Sequence, residues 1–216
     1  MEHEPVVTES ISQSASEPEV EPEAGSQLPN FSRNAVYFGL LFEGSLSLVA
    51  LLLGWLLKQP PWATVEFSVT GVGLGVAATM PMLVGFLLAV WLPLPPFKRI
   101  VRVFDDFGRP FFAAYTVFDL AVLSLAAGVG EELLFRGVVQ GVLDRWWGPW
   151  AAVPIASALF GALHALTPTY AILATLAGAY LGSVWLFTGN LLVVIIAHGL
   201  YDFIALVYLL RVRTAS

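Results

Sequence analysis

The chain has 216 residues, of which 57% are hydrophobic and only 12% are charged, and it contains no cysteine. A soluble domain carries about 25% charged residues, so this composition excludes a soluble domain. It predicts an all-α, polytopic transmembrane helical bundle. The lack of cysteine excludes disulfides, thiolate metal sites and cysteine nucleophiles.

Residues 1–30 are predicted to form a disordered, acidic cytoplasmic tail, followed by one transmembrane helical domain over residues 31–216. The tail carries seven glutamates, no Lys or Arg before residue 30, and several Pro and Ser residues, so it cannot bury a core. Its start is not basic, which excludes a signal or transit peptide. A spacer is favoured over a docking segment for a basic partner.

Long apolar stretches predict about six membrane spans, because a bilayer requires roughly 20 apolar residues per helix. In chain order they are residues 36–57, 69–92, 111–143, 150–166, 170–187 and 191–210. The third is too long for one straight span, so we expect a tilt or a break near Gly128, Val129 and Gly130. Closely spaced glycines predict tight helix packing in two spans: Gly71, Gly73 and Gly75 in the second, Gly178 and Gly182 in the fifth.

The longest interior loop, residues 97–110, interleaves basic and apolar side chains. This pattern predicts a short amphipathic segment on anionic lipid headgroups, and the patch is too small for nucleic acid. With six spans both termini lie on one side, which we expect to be cytoplasmic because that side carries seven basic residues against two. The seven are Arg33, Lys98, Arg99, Arg102, Arg109, Arg211 and Arg213, and the two are Lys58 and Arg145.

Three charged residues lie close together inside the third span, where ionised groups are costly. Glu132 and Arg136 are four residues apart on one helix face and are predicted to neutralise each other. Glu131 points about 100° away and is left without that partner, so it needs another role. Glu43, in the first span, is expected to snorkel or to pair with Arg33 rather than to approach the site.

Two further spans carry polar groups that can meet Glu131. His164 follows Phe160 by four residues, and Asp202 follows His198 by four, so each pair lies on one helix face. A cluster of His and carboxylate side chains suits zinc or another divalent metal, which Glu131, His164, His198 and Asp202 could bind.

Direct activation of a water by Glu131 and a histidine is the alternative to a metal site. A second histidine could then stabilise an oxyanion. Beside an oxyanion, Asp202 must be protonated, bind a metal or orient His198. The sequence contains neither the H-E-x-x-H motif nor a Gly-x-Ser-x-Gly turn. Their absence excludes a zincin-type metalloprotease and a hydrolase with a serine nucleophile in such a turn.

These residues form three ordered motifs over roughly residues 115–210: E-E-x-x-x-R from Glu131 to Arg136, F-x-x-x-H ending at His164, and H-x-x-x-D from His198 to Asp202. With them the sequence resembles the CAAX protease and bacteriocin-processing family, also called type II CAAX prenyl endopeptidases or the Abi family. The resemblance implies an intramembrane endopeptidase acting on a peptide or membrane-protein substrate.

By the same resemblance, Glu131 is the main water activator and His164 assists it. His198 and Asp202 complete the site as oxyanion-side groups or metal ligands, while Glu132 and Arg136 support it. The compact chain predicts a bacterial plasma membrane. A proton- or ion-coupled carrier and a non-catalytic scaffold or immunity protein are the alternative functions.

Overall fold

The computed structural model describes Met1 and residues 34–213, and these residues are helical with short connections and no strand. The predicted tail lies almost entirely outside the described residues. The helices are α1 Asn34–Leu56, α2 Val69–Trp91, α3 Pro95–Val103, α4 Arg109–Phe112, α5 Val117–Glu132, α6 Gly141–Trp147, α7 Pro149–Leu163, α8 Pro168–Thr188 and α9 Leu191–Val207. π-Helical turns occupy Phe104–Gly108, Leu133–Gln140 and Tyr208–Val212.

Within the described residues, four helices are long and apolar enough to cross a bilayer: α1, α2, α8 and α9 with the turn after it. A fifth span results if α3–α4 and α5–α6, which meet at 111°, count as one broken span. The fourth predicted span, 150–166, is the shorter helix α7, whose 15 residues extend about 22 Å. A hydrocarbon core is about 30 Å thick, so the count of six full-length spans is corrected.

The third predicted span is one long helical stretch from Val117 to Trp147. The break expected near Gly128 and Gly130 is absent, because both glycines lie within regular helix α5. The excess length is instead accommodated by the π-helical segment Leu133–Gln140 and by a bend before Val117. Gly128 and Gly130 serve close packing: a Cβ on Gly130 would lie 2.7 Å from the Glu43 carbonyl oxygen of α1.

The predicted amphipathic segment is present as α3 and the turn after it. Lys98, Arg99 and Arg102 are exposed on one face, and the apolar side chains between them are half-buried. Arg109 instead turns toward the protein, where Nη2 donates to the Leu209 carbonyl oxygen at 2.6 Å. Arg109 is therefore removed from the set of basic residues expected to meet lipid headgroups.

Glycines in α2 allow α9 to pack closely, but only on one face of the helix. A Cβ on Gly75 would lie 2.7 Å from Cβ of Ile196, and one on Gly71 would lie 2.9 Å from Nδ2 of Asn190. A Cβ on Gly73 would meet nothing within 4 Å. The packing role is thus confirmed for Gly71 and Gly75 and is wrong for Gly73.

The connection between α1 and α2 is fixed by Asn190, which begins α9. Its Oδ1 accepts from the backbone N–H of Glu66 at 3.0 Å and of Leu192 at 2.9 Å, and its Nδ2 donates to the Glu66 carbonyl oxygen at 2.8 Å. The two bonds to Glu66 join the connection to the start of α9, the helix that carries His198, and the bond from Leu192 caps that helix.

Candidate active site

Two adjacent glutamates end helix α5, and they have different surroundings. Glu132 is 0% exposed, and its Oε1 accepts from Nη1 of Arg136, itself 2% exposed, at 2.8 Å. Glu131 is 8% exposed, and its Oε2 has no hydrogen-bond partner. The predicted pairing of Glu132 with Arg136 is confirmed, and it leaves Glu131 outside the pair.

Arg136 and Gln140 connect the π-helical segment to α8. Arg136 donates through Nη2 to the Gly178 carbonyl oxygen at 2.9 Å, and Gln140 donates through Nε2 to the Gly182 carbonyl oxygen at 3.0 Å. Donors four residues apart thus bind carbonyls four residues apart. The two glycines of the predicted packing motif permit this approach, since a Cβ on Gly182 would lie 2.5 Å from Oε1 of Gln140.

His198 lies between two carboxylates. Its Nδ1 is 2.7 Å from Oε1 of Glu132, and its Nε2 is 3.4 Å from Oδ2 of Asp202. Glu132 therefore joins Arg136 on its own helix to His198 on α9. Because both ring nitrogens face acceptors, protonated His198 can donate to both carboxylates.

His164 faces Glu131 from the C-terminal end of α7. The distance from its Nε2 to Oε2 of Glu131 is 3.6 Å, which is too long for a direct hydrogen bond. Its other nitrogen, Nδ1, is 2.8 Å from the Phe160 carbonyl oxygen. A carbonyl oxygen only accepts, so Nδ1 carries a proton; in the neutral form of the ring, Nε2 then presents a lone pair to Glu131.

Phe160 holds both histidines in place. Its ring stacks on His164 with centroids 4.3 Å apart, and it contacts His198 edge-on at 6.0 Å. The Arg136 guanidinium lies over the same ring, 4.9 Å from its centroid. The Phe160 ring thus contacts three of the six predicted site residues, and the other three, Glu131, Glu132 and Asp202, each lie within 4 Å of one of the two histidines.

The predicted metal ligands do not form a metal site among the described residues. No group of three or more His, Asp or Glu side chains in residues 34–213 is arranged to hold an ion. His198 has both ring nitrogens directed at carboxylates. Glu131 and His164 remain as a two-ligand pair, fewer than the three protein ligands of a catalytic zinc. Zinc binding therefore stays a prediction.

Sequence reasoning missed Glu43 as a neighbour of the site. Its Oε2 is buried without a hydrogen-bond partner, and its backbone packs against Gly130, the residue before Glu131. The interpretation that Glu43 snorkels away from the site is wrong, and its pairing with Arg33 lies outside the described residues. The inward-facing positions of α1 at helical spacing could have placed it: Val36, Gly39, Glu43, Ser47 and Ala50.

Fold and site together define a helical membrane protein with a buried carboxylate–histidine cluster. Residues 113–204 match the family model for type II CAAX prenyl endopeptidases, described as Rce1-like. Over that segment the chain is similar to the family that its three motifs predicted, and this similarity supports a CAAX-type intramembrane protease. No curated protein and no solved structure matches the chain.

Proposed function

We propose that this protein is an intramembrane endopeptidase that hydrolyses a peptide bond with a water held by Glu131 and His164. One observation carries the proposal: an unpartnered Glu131 oxygen and the Nε2 lone pair of His164 are 3.6 Å apart. With His164 in its neutral form these are two acceptors, and a group that donates to both can bridge them. A water can give one hydrogen to each, and its own lone pairs then remain free for a substrate carbonyl carbon.

In the first step Glu131 takes a proton from this water as its oxygen attacks the carbonyl carbon. Phe160 keeps the proton of His164 on Nδ1, which holds Nε2 as an acceptor. The oxyanion that forms needs a positive donor, and we propose that protonated His198 supplies one through Nε2–H, whose contact with Asp202 is long at 3.4 Å. Asp202 was expected to be protonated, to bind a metal or to orient His198. Because it lies against Nε2 of His198, we propose that it orients the His198 ring.

Glu132 and Arg136 support this site without touching the water. Their ion pair fixes Nδ1 of His198 on one side and the backbone of α8 on the other. A zinc bound at Glu131 and His164 would supply a polarised water in the same place. Glu131 and His164 provide two protein ligands for such an ion, so the proposed mechanism relies on side chains alone.

The substrate is proposed to be a peptide or membrane protein, with no prenyl group required. We further propose that the protein resides in a bacterial plasma membrane with both termini in the cytoplasm. The exposed basic side chains Lys98, Arg99 and Arg102 favour this orientation, because cytoplasmic loops are enriched in Lys and Arg. Residue-specific labelling of a cysteine introduced at Lys98 in sealed cells would test it.

The decisive experiment measures cleavage of a membrane-peptide library by purified protein in detergent. Wild type, Glu131→Gln and Glu66→Gln are compared with and without a chelator; Glu66 is an exposed acid outside the site. We expect cleavage by wild type and Glu66→Gln, loss in Glu131→Gln, and no effect of the chelator. Inhibition by the chelator would establish a metal-dependent enzyme.

Cleavage that survives in Glu131→Gln would overturn the role of Glu131. Wild-type protein that cleaves no library member would contradict the endopeptidase proposal as stated. Uptake of a solute into proteoliposomes along a pH gradient would then favour a carrier, and a cellular function retained by Glu131→Gln would favour a scaffold.

A further inference from the structure

Glu43 is a half-buried acid that the proposed mechanism does not use. It lies in the middle of the inward-facing stripe of α1, and its Oε2 is buried without a hydrogen-bond partner. A buried carboxylate oxygen without a partner is destabilising, so its presence calls for a function or a ligand.

A backbone contact between α1 and α5 places Glu43 beside the residue that precedes Glu131. The helices cross where Gly130 meets the Glu43 carbonyl oxygen and the side chains of Leu46 and Ser47. Glu131 is the next residue along α5. The electrostatic partners of the Glu43 carboxyl group are the titratable side chains of the site: Glu131, Asp202, His198 and His164.

The charges of this cluster do not balance with every acid ionised. Arg136 already neutralises Glu132. Glu43, Glu131 and Asp202 then outnumber the two histidines, even with both imidazoles protonated. A neutral Glu43 would reduce this excess of negative charge, and a neutral carboxyl group is also the form that can donate a proton. Glu131 and Asp202 each have a histidine nitrogen within 4 Å, whereas no such contact is found for Glu43 among the described residues.

We infer that Glu43 is a further catalytic residue, the general acid that protonates the leaving amine. The inference rests on the proposed peptidase function. Peptide hydrolysis needs such a donor, because the C–N bond breaks with a leaving nitrogen that must gain a proton.

The proton balance of the cycle then closes. Water gives one proton to Glu131 and its hydroxide to the carbonyl carbon, which forms the tetrahedral intermediate. As the C–N bond breaks, Glu43 gives its proton to the nitrogen and becomes a carboxylate. The proton held by Glu131 passes to Glu43, so one water is consumed and both acids return to their starting states.

An amide and ester pair tests this assignment. The probes are a library peptide that wild type cleaves and the same peptide with an ester in place of the cleaved amide. An alkoxide leaves far more readily than an amide anion and depends less on a general acid. Glu43→Gln, which keeps the side-chain volume, is therefore expected to slow amide cleavage by about 10²-fold or more and ester cleavage by less than about 10-fold.

Two further variants complete the test. Glu43→Asp retains an acid and is expected to recover part of the amide activity, which covers the case in which Glu43→Gln folds poorly. Glu66→Gln makes the same chemical change at an exposed site and should leave both rates unchanged.

Equal loss of amide and ester cleavage in Glu43→Gln, or unchanged amide cleavage, would overturn the role of Glu43 and leave the peptidase proposal standing. Wild-type protein that cleaves no library peptide would overturn both.

Discussion

Glu132 of α5 and His198 of α9 are joined by a 2.7 Å contact between Oε1 and Nδ1, and the same oxygen accepts from Arg136. One carboxylate oxygen therefore holds together an ion pair within a helix and a contact between helices. Glu131, the next residue toward the N-terminus, takes part in neither. We therefore predict that substitution of Glu132 mainly lowers stability, whereas substitution of Glu131 mainly lowers activity.

Glu132→Gln is expected to destabilise the protein strongly. The substitution leaves the buried Arg136 guanidinium without its counter-charge, and breaking a buried pair from one side costs about 3–5 kcal/mol. Thermal unfolding in detergent should show a large fall for Glu132→Gln and a small change for Glu131→Gln. Equal unfolding temperatures for the two variants would contradict the structural role of Glu132.

Glu131→Gln and His164→Ala are each expected to lower kcat/KM for peptide cleavage by about 10²–10⁴-fold. Because both side chains act on one water, the double variant should be little worse than the poorer single variant. Ser183→Ala is the control, since Ser183 Oγ donates to the Ala179 carbonyl oxygen of its own helix. A double variant with multiplied losses would argue that the two residues act at different steps.

Gly75→Ala is expected to lower stability, whereas Gly73→Ala should have little effect. The added methyl group at position 75 would meet Cβ of Ile196 at 2.7 Å, and overpacking of this kind costs about 1–3 kcal/mol. At position 73 the methyl group meets nothing within 4 Å. Unfolding of the two variants in the same detergent gives the comparison, and equal destabilisation would contradict the packing of α2 on α9.

Asn190→Ala is expected to destabilise the protein by about 2–3 kcal/mol. It removes three hydrogen bonds, each contributing about 1 kcal/mol: two tie the α1–α2 connection to the start of α9, and one caps α9. Ser45→Ala removes one exposed bond to the Phe42 carbonyl oxygen and serves as the matched control. A similar unfolding free energy for both variants would show that the connection is held by other contacts.

Much of this arrangement was predictable from spacing alone. A separation of four residues put Glu132 opposite Arg136 and His198 near Asp202, because helix geometry fixes which side chains share a face. Apolar runs located α1, α2, α8 and α9 to within a few residues. The order of the three motifs predicted the family, since each motif lies on its own helix.

Other features depend on contacts between helices that spacing does not report. The length of α7 was overestimated because residues 164–166 continue its apolar character, although the helix ends at Leu163. The contact of Glu132 with His198 requires the crossing of α5 and α9, which no local pattern encodes. Glu43 was expected to snorkel or to pair with Arg33, whereas its Oε2 is buried without a hydrogen-bond partner and its backbone packs against Gly130.

The short α7 has a consequence for the lipid around the protein. Glu131 lies fourteen residues into the α5 stretch that begins at Val117, about 21 Å along it, and the α7–α8 turn at residues 164–167 meets it there. Ala165 and Leu166 of this turn are exposed. Non-helical backbone at such depth must be hydrated, so we expect acyl chains of one leaflet to part beneath the turn. A dimple in that leaflet would bring bulk water to His164 from one face of the membrane, while the other face stays sealed.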